Sequence, residues 1–451
     1  MPDVPLSPGY FSRAQEALEE ARLVNMIYEK TPQGPFASAL VPRPPLAQQY
    51  VPGGGEIRAM LKQPGVLNGD LLTVSGSALY DVTSQLGTIG TSTGRCEVHT
   101  SEDHIVVIDA SAGTAWAYTI ATKVFAQVTD ADLPAVSSVA FYAGRWFYAQ
   151  KGSGVFWWSA LDDPTSIDAL AFADTEASAD QIVRVGVLGD DLVFFGSNSV
   201  EFWYATGDPN APVSRYTNRT YSRGCVGADT VVNADNSLMW IGDDFIPYRA
   251  ESVPMPLVDP TTGAGYGIVE IIKNGVLGGL SLNCWTMTYD AHTYYAINVG
   301  GTNYLRDITT GSWSEWDIET THCANSSGGL PLLGGPSGIV YAPDPSMAGR
   351  DDNSGPYMRV GSAFAQVDDD VVRCDVVALL TRAPSEANVS MRYMDDVDAG
   401  WSDWIATTTV SRSAAWRRLG PMRAPGRRFE FQCSDEQWVD FVGLKVNPRR
   451  I

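Results

Sequence analysis

The sequence predicts an all-β protein: a β-propeller of six or seven blades, preceded by an extended Pro-rich arm and followed by a small β-sandwich-like domain. Short apolar and aromatic runs, each too short for a helix, alternate with turn residues along most of the 451 residues. Groups of these runs recur about every 35–55 residues, which is the spacing of blades built from four short antiparallel strands. The composition agrees, because 43 glycines accompany frequent tryptophan and tyrosine, while lysine and glutamate are scarce.

The repeat is clearest between residues 137 and 209. Six strands are predicted there, at SVAFY (138–142), RWFYAQ (145–150), VFWWSA (155–160), QIVRVGVL (181–188), LVFFGS (192–197) and VEFWYAT (200–206). The residues between them suit tight hairpins, because glycine, asparagine and aspartate tolerate positive φ or bond their own backbone. We expect three hairpin-linked strands, an acidic loop over residues 161–179, and then three more strands.

A helix and an arm are predicted before the repeat. Residues 13–28 (RAQEALEEARLVNMIY) are the best helix candidate, with Ser12 as N-cap and Glu16 near the first turn. Residues 32–52 contain six prolines and no periodicity, which indicates an extended arm or clamp. The arm either packs across the surface of its own chain or reaches onto a neighbouring subunit.

Seven stretches from Ile57 onward are assigned to the repeat. They are residues 71–80, 104–117 with 123–129, 138–160, 181–206, 237–249, 285–316, and a last partial strand at 339–343. Each blade would bury its alternating apolar face against its neighbours, and closing the ring would remove the exposed end sheets. We therefore assign residues 1–55 to the helix and arm, and residues 56–360 to the propeller.

The pattern changes after about Gly361, and residues 361–451 are assigned to the C-terminal β domain. Its strands are predicted at residues 371–380, 388–393, 401–409, 416–419, 427–432 and 439–446, with a turn at 395–400. This region is more basic than the rest of the chain, with arginines at Arg412, Arg417, Arg418, Arg423, Arg427, Arg428, Arg449 and Arg450. They could grip DNA, form a charged β-surface, or contact an acidic partner.

The formal net charge of −21 restricts the possible partners. Proteins that grip DNA or anionic lipid do so largely through lysine and arginine, so this chain is not expected to be a DNA clamp. An acidic surface is compatible with DNA that slides past without sticking. No apolar run approaches the ~20 residues of a membrane span, and the N-terminus lacks a signal pattern, so no membrane span is expected.

Cysteine and histidine give no pattern typical of a metal site. The cysteines are widely spaced without a CxxC motif, which predicts free and mostly buried thiols. The histidines are equally dispersed, and no HExxH motif is present, so neither a metal nor a cofactor is expected. The residues concerned are Cys96, Cys225, Cys284, Cys323, Cys374 and Cys433, and His99, His104, His292 and His322.

Acidic clusters are the remaining candidates for chemistry. Pairs at predicted turns could be glycosidase carboxylates, although turn chemistry alone explains them: Asp162-Asp163, Asp190-Asp191 and Asp243-Asp244. Asp398-Ala-Gly-Trp401 resembles the Asp-box turn of sialidase propellers, but it occurs once and outside the blades. Asp368-Asp369-Asp370 could bind a hard cation or form a solvated loop. No nucleophile elbow, P-loop or dinucleotide fingerprint is present, so we assign no catalytic, cofactor-binding or metal residue and expect no enzyme.

Several long phrases carry a more specific signal. They are RLVNMIYEKTPQGPFASALVPRPPL (22–46), the stretch FYAGRWFYAQ…NAPVSRY (141–216) with SIDALAFADTEASADQI (166–182) and SVEFWYATGDPNAPVSR (199–215) inside it, RGCVGADTVVNADNSLMWIGDD (223–244), and AAWRRLGPMRAPGRRFEFQCSD (414–435). Together they resemble the packaged-DNA stabilisation proteins of short-tailed bacteriophages, the tail-hub or nozzle family. The resemblance extends over about residues 22–450, and the first twenty residues and residues 325–353 depart from it.

This resemblance implies a structural virion protein of the tail, made in the cytoplasm of the bacterial host. Such hubs are propellers that form a ring, usually six copies, below the portal and its head-to-tail adaptor. They close the DNA exit channel together with a needle or tail tip, carry fibres or spikes, and conduct the genome on ejection. An acidic lumen would repel the duplex, so that DNA passes without specific binding. The alternative is a propeller tail protein that binds or cleaves glycans, which predicts a concave cleft of aromatic and carboxylate side chains.

Overall fold

The computed structural model describes residues 3–7, 9, 22–30, 37–175, 180–259, 265–325, 329–347, 349–352, 356–367, 371–395, 400–424 and 426–450. Within these residues the chain forms seven four-stranded blades and a two-sheet sandwich. This confirms the predicted fold class and gives seven blades.

The N-terminal segment is divided between the two bodies. It contains strands β1 (Asp3–Val4), β2 (Met26–Lys30), β3 (Ser38–Pro42) and β4 (Leu46–Tyr50). The first three join the sandwich and β4 joins the seventh blade. The helix predicted over residues 13–28 is wrong at its end, because residues 26–28 lie in β2 and pair with β3; residues 13–21 lie outside the described residues. Pairing with another strand overrides the local helix propensity there.

The first four blades follow one another along the chain. Their strands are β5 (Ile57–Lys62), β6 (Leu71–Ser75), β7 (Ala78–Asp81) and β8 (Ser84–Thr88); β9 (Cys96–Thr100), β10 (His104–Asp109), β11 (Thr114–Thr119) and β12 (Val124–Gln127); β13 (Val136–Tyr142), β14 (Arg145–Gln150), β15 (Val155–Ala160) and β16 (Asp163–Asp174); β17 (Ile182–Leu188), β18 (Asp191–Gly196), β19 (Val200–Asp208) and β20 (Ala211–Tyr221). The predicted acidic loop over residues 161–179 is wrong for most of its length, because it contains β16. That outermost strand was missed because it faces solvent and its pairing with β15 is interrupted by register shifts.

The last three blades complete the ring. Their strands are β21 (Val232–Ala234), β22 (Ser237–Ile241), β23 (Pro247–Ala250) and β24 (Pro254–Pro256); β25 (Leu282–Tyr289), β26 (His292–Val299), β27 (Thr302–Asp307) and β28 (Trp313–Trp316); β29 (His322–Ala324), β30 (Leu332–Gly334) and β31 (Val340–Pro343). Helix α1 (Tyr266–Leu277) connects blades five and six, and 3₁₀ turns lie at Leu67–Gly69, Ala228–Thr230 and Pro345–Met347. The helix was not predicted.

Strand β4 closes the propeller by supplying the outermost strand of blade seven. Tyr50 pairs with Val340 and Leu46 with Pro343, so residues from the two ends of the ring share one sheet. A separate apolar core fills each of the seven interfaces between neighbouring blades, including the one between blades seven and one around Ile57 and Leu332. The described part of the arm, residues 37–52, therefore packs within its own chain.

The sandwich is formed by the C-terminal strands together with the N-terminal segment. Its strands are β32 (Arg359–Gln366), β33 (Val372–Arg382), β34 (Asn388–Met394), β35 (Ile405–Thr408), β36 (Ser413–Arg417), β37 (Pro421–Met422), β38 (Gly426–Cys433) and β39 (Asp440–Arg450). One sheet has the order β2-β3-β39-β33-β36, with β1 and β37 on β39 and β33, and the other has the order β32-β38-β34-β35. A single core around Phe429, Phe431 and Phe441 fills the space between the sheets.

Candidate functional surfaces and axial cavity

The innermost strands of all seven blades line a cavity on the propeller axis. These strands are β5, β9, β13, β17, β21, β25 and β29, and the cavity has a volume of about 710 Å³. Small-molecule sites typically have volumes of about 300–1,000 Å³. The cavity is therefore of small-molecule size.

A network of charged and polar groups beside the cavity joins blades two, three and four. The buried carboxylate of Glu97 accepts hydrogen bonds from Ser138 Oγ at 2.9 and 3.0 Å and from the Val139 backbone N–H at 3.1 Å. Ser138 Oγ in turn accepts the backbone N–H of Val185 at 3.1 Å. Arg95, which immediately precedes strand β9, binds the same carboxylate. The network thus fixes three neighbouring blades to one another at the axis.

Two arginines extend this network to blade five. Arg95 Nε donates to Asp229 Oδ1 at 2.7 Å, and Arg184 Nη1 donates to the Ala228 carbonyl at 3.0 Å. Arg184 also lies 3.6 Å from Glu97. Two cations and two carboxylates therefore balance around this side of the cavity. Burial and the neighbouring arginines lower the pKa of His99 to about 3, so its imidazole is neutral.

The thiols near the axis are poor nucleophiles. Burial raises the pKa of Cys96 to about 12 and that of Cys225 to about 11, and it raises the pKa of Cys284 and Cys323 further. A thiol reacts through its thiolate, so such values oppose covalent catalysis.

Across the described residues, no group of three or more His, Cys, Asp or Glu side chains is arranged to hold a metal ion. In that same part of the chain, no helix is long and apolar enough to cross a membrane.

A second charged cluster joins the propeller to the sandwich. The fully buried Arg43 binds both carboxylate oxygens of Asp351, at 2.8 and 2.5 Å, and donates from Nε to Asn25 Oδ1 at 2.9 Å. Asn25 Oδ1 also accepts the backbone N–H of Asp317, which follows blade six, and Asn25 Nδ2 donates to the Met358 carbonyl at 2.7 Å. Two side chains of the N-terminal segment therefore fasten blade six to the chain that enters the sandwich.

The surface beside this junction is a cleft of about 490 Å³ with paired charges. Arg392 binds Glu430, with Nε 2.7 Å from Oε2, and its guanidinium lies 4.5 and 4.7 Å from the ring centres of Trp401 and Trp404. The guanidinium therefore covers one face of each tryptophan ring and neutralises the carboxylate. The ring faces turned toward Arg392 are therefore not available for stacking a sugar, which is what the glycan alternative requires.

His292 forms a third link between the two bodies. Its Nδ1 lies 2.8 Å from Asp307 Oδ2 in the same blade, and its Nε2 lies 2.9 Å from Glu29 Oε1 on strand β2 of the sandwich. The hydrogen bond to Asp307, together with the charges of both carboxylates, raises the pKa of His292 to about 8. The protonated imidazole therefore bridges two carboxylates from separate sheets.

Seven exposed carboxylates lie in the turns of one face of the propeller. In an antiparallel blade, the turn between strands one and two and the turn between strands three and four open on the same face. Contacts agree: Gly144 lies against Asp162 in blade three, and Arg249 binds Asp235 and Glu251, at 3.1 and 3.7 Å, in blade five. We call these turns of blades two to six the acidic turn face, and its exposed carboxylates are Glu102, Asp103, Asp162, Asp190, Asp235, Glu251 and Asp290. Lys123 is the one basic residue in these turns.

The predicted acidic pairs do not form one site. Asp162-Asp163 and Asp190-Asp191 belong to turns of the acidic turn face, whereas Asp243-Asp244 lies between β22 and β23, on the opposite face. Asp163 Oδ1 accepts the Thr165 backbone N–H at 2.9 Å, and Asp244 Oδ1 accepts that of Ile246 at 3.2 Å. These are the bonds expected from turn chemistry. Asp368-Asp369-Asp370 and Asp398 lie outside the described residues.

The predicted arginine cluster divides into two groups. Arg427 and Arg428 are buried, and Arg427 binds both carboxylate oxygens of Asp395, at 2.6 and 2.7 Å. The exposed group consists of Arg412, Arg417, Arg418 and Arg423. The side chains of Arg449 and Arg450 lie outside the described residues.

The sequence did not point to Arg43, Asn25 or the axial charged residues, because each of them binds residues that are distant along the chain.

Solved structures that resemble this fold are distant in sequence. A computationally designed protein, Ika8, is 12% identical, with 66% of this chain and 99% of that chain covered and a TM-score of 0.41. The β-propeller domain of Cps50 (Swd1) from Myceliophteria thermophila is 8% identical, with 66% and 99% covered and a TM-score of 0.45. A catalytically inactive virginiamycin B lyase from Staphylococcus aureus with quinupristin is 9% identical, with 66% and 98% covered and a TM-score of 0.44. At this level of likeness they say nothing about function. Among curated proteins, no sequence matches this chain.

The family relationship comes from the sequence of the N-terminal segment and the first blades. The phage stabilisation family model, described as "Bacteriophage P22 Gp10, beta-propeller", matches residues 2–247, which is more than half of the chain. The matched stretch includes the junction residues Asn25 and Arg43 and the axial residues Arg95, Glu97 and Arg184. The chain belongs to the family of bacteriophage packaged-DNA stabilisation proteins, which are β-propeller proteins of the virion.

Proposed function

We propose that this chain is the tail hub or nozzle of a short-tailed phage. In this proposal it forms a ring, six copies in number, below the portal and its head-to-tail adaptor. The ring closes the exit channel around the packaged genome, conducts the DNA on ejection, and carries the tail needle or tip and the fibres or spikes. The observation that carries the proposal is the match to the phage stabilisation family over residues 2–247.

The axial cavity supports a channel that lies between copies and not inside one propeller. The axial cavity has a volume of about 710 Å³, which is in the range of small-molecule sites and too small to hold a segment of duplex DNA. Charged groups of neighbouring blades, including Glu97, Arg184 and Asp229, also line it. The DNA path of a hub would therefore run through the centre of the ring, along the outer surfaces of the propellers.

The charge distribution supports passage without binding. Residues 1–360 carry 39 acidic and 19 basic side chains, and residues 361–451 carry 13 and 12. Nearly the whole net charge of −21 therefore lies outside the C-terminal region. A ring of such propellers would repel phosphates at short range, so the genome would be held mechanically and would leave quickly once the channel opens. No chemical step is required, and we propose a non-enzymatic role.

Quantitative mass spectrometry of purified virions tests this function. About six copies of this chain per twelve portal subunits would support the hub. Three copies per fibre position, together with oligosaccharide binding by the isolated chain, would support the glycan-recognition alternative. Absence from the particle would overturn both.

A further inference from the structure

The larger sandwich sheet has a free edge with exposed arginines. Strand β36 pairs with β33 on one side, and among the described residues no strand pairs with its other side. Arg412 precedes β36, Arg417 is its last residue and Arg418 follows it, while Arg423 follows β37 on the same side of β33. We call these four residues the arginine edge. Val410, beside them, is an exposed apolar side chain.

The arginine edge and the acidic turn face are opposite in charge and belong to separate parts of one chain. The face presents seven exposed carboxylates from five consecutive blades, against Lys123 and against Arg249, which pairs with Asp235 and Glu251. Two acidic turn faces would repel each other, as would two arginine edges. A contact that joins identical surfaces of two copies is therefore disfavoured at either region, whereas a contact between an edge and a face is favourable.

We infer that the arginine edge of one copy docks on the acidic turn face of the next copy. This inference rests on the proposed function, because it supplies the contact that a hub ring needs. A contact between two different surfaces leaves each open assembly with one free edge at one end and one free face at the other, so repetition closes a ring or extends a filament. Arginine suits this role, because its planar guanidinium binds carboxylates through two parallel hydrogen bonds.

Charge reversal of each surface provides the test. R417E/R418E places negative charge on the edge, and D103K/D190K places positive charge on the face at two positions whose own φ is not positive. We expect each variant alone to associate at least about tenfold more weakly than the wild-type chain in low-salt analytical ultracentrifugation, because R417E/R418E cancels the net charge of the four-arginine edge and D103K/D190K replaces two carboxylates of the face by cations. In an equimolar mixture of the two, association between unlike variants should recover, since the native edge of D103K/D190K fits the native face of R417E/R418E.

A matched control separates this contact from a general effect of charge. K151E/K273E makes the same change in net charge as R417E/R418E, at exposed lysines of another turn and of helix α1. It should associate like the wild type. Thermal unfolding of all variants should show that each remains folded.

Three results would overturn the inference. They are a wild-type chain that stays monomeric at low salt, reversed variants that associate normally, and a mixture that fails to recover. If R417E/R418E instead abolishes duplex DNA binding while association persists, the edge is a DNA contact. Normal association of the variants, together with about six copies per virion, would leave the hub proposal standing and remove only this interface.

Discussion

Charged residues in this protein occur in two settings that contribute differently to the fold. At the axis and at the junction they are partly or fully buried and paired, as the fully buried Arg43 is with Asp351 and Asn25. On the acidic turn face they are exposed, and they lie in the short turns that connect two strands of a blade. The fold can carry a net charge of −21, because apolar cores hold the blades together while the exposed turns carry charge. Breaking a buried charged pair should therefore destabilise the protein much more than neutralising a carboxylate in an exposed turn.

The largest effect is expected from Arg43→Ala. The substitution leaves the partly buried Asp351 carboxylate with the Leu46 backbone N–H but without its guanidinium, and Asn25 Oδ1 without its Arg43 donor. Losing one member of a buried pair typically costs about 3–5 kcal/mol, and the 17% exposure of Asp351 places the expected loss toward the lower figure. Arg22→Ala is the matched control, because Arg22 also binds a carboxylate, Glu315, but its side chain is 50% exposed. It should cost no more than about 1 kcal/mol. Urea unfolding measures both changes, and equal losses for the two variants would contradict the prediction.

Arg43→Ala should also separate the unfolding of the two bodies. The N-terminal segment connects them, since β4 belongs to the propeller and β2 and β3 belong to the sandwich. With this fastening weakened, tryptophan fluorescence and circular dichroism should no longer report a single coincident transition. Coincident transitions in the variant would show that the link depends on other contacts.

The next effect is expected from Glu97→Gln at the axis. The glutamine amide keeps one oxygen, which can still accept a hydrogen bond from Ser138. Its NH₂ group replaces the other carboxylate oxygen, so one acceptor for the donors of Arg95 and Val139 is lost. Leaving buried charged donors without an acceptor costs about 1–3 kcal/mol. Glu102→Gln, in the exposed turn after the same strand, is the control and should remain within about 0.5 kcal/mol of wild type. A similar loss in both variants would show that the axial network contributes nothing specific.

The sequence alone was sufficient to predict an element where its structure depends on residues that are close together along the chain. The predicted bounds of β14 and β15 agree with the structure, because glycine-containing turns delimit both hairpin strands. The outermost strand β16 was missed, since one of its sides faces solvent and its apolar alternation is weak. The pairing of β4 with β31 could not be foreseen, because almost 300 residues separate them and no local pattern specifies the partner.

The charged clusters could not be predicted for the same reason, because their members are distant from one another along the chain. Arg95 and Asp229 meet only because blades two and five face one axis, and their spacing in the sequence resembles no motif. Helix α1 contains Gly275 and several β-branched residues, so its local propensity is poor. It is held by packing, because Ile268 and Ile272 are buried in the core between blades five and six. Turn chemistry, by contrast, accounts for Asp163 and Asp244, since each accepts a hydrogen bond from a backbone N–H two residues further on, whereas Asp191 binds the distant Arg219.

A smaller effect is expected from pH, through His292. Its pKa is raised to about 8, so protonation stabilises the folded state. This contribution is fully present below the ordinary histidine pKa of about 6.5 and is lost as pH rises through about 8. It is at most about 2 kcal/mol, and less in proportion to the water that reaches Glu29, whose side chain is 34% exposed.

The difference in unfolding free energy between the wild-type chain and His292→Gln, measured from about pH 7 to about pH 8.5, tests this link. Other buried groups add their own dependence outside this window, because the neutral His99 makes stability rise with pH below about 7 and the thiols of Cys96 and Cys225 make it fall toward pH 9. The wild-type chain should lose more stability across the window than His292→Gln, and the control His104→Gln should lose as much as the wild type. Equal losses in the wild type and in His292→Gln would show that the imidazole is not protonated between Asp307 and Glu29.

The smallest effect is expected from Asp162→Asn on the acidic turn face. Asp162 has a φ of 54°, and asparagine adopts this left-handed conformation as readily as aspartate. Stability should therefore change by less than about 0.5 kcal/mol. Asp162→Val should cost about 1–2 kcal/mol, because a β-branched side chain is strained at positive φ. If removing the charge alone were as costly as the valine substitution, the carboxylate would be needed for folding. If it is not, the conformation of the turn permits several residues, and the acidity of this face is available for contacts outside the chain.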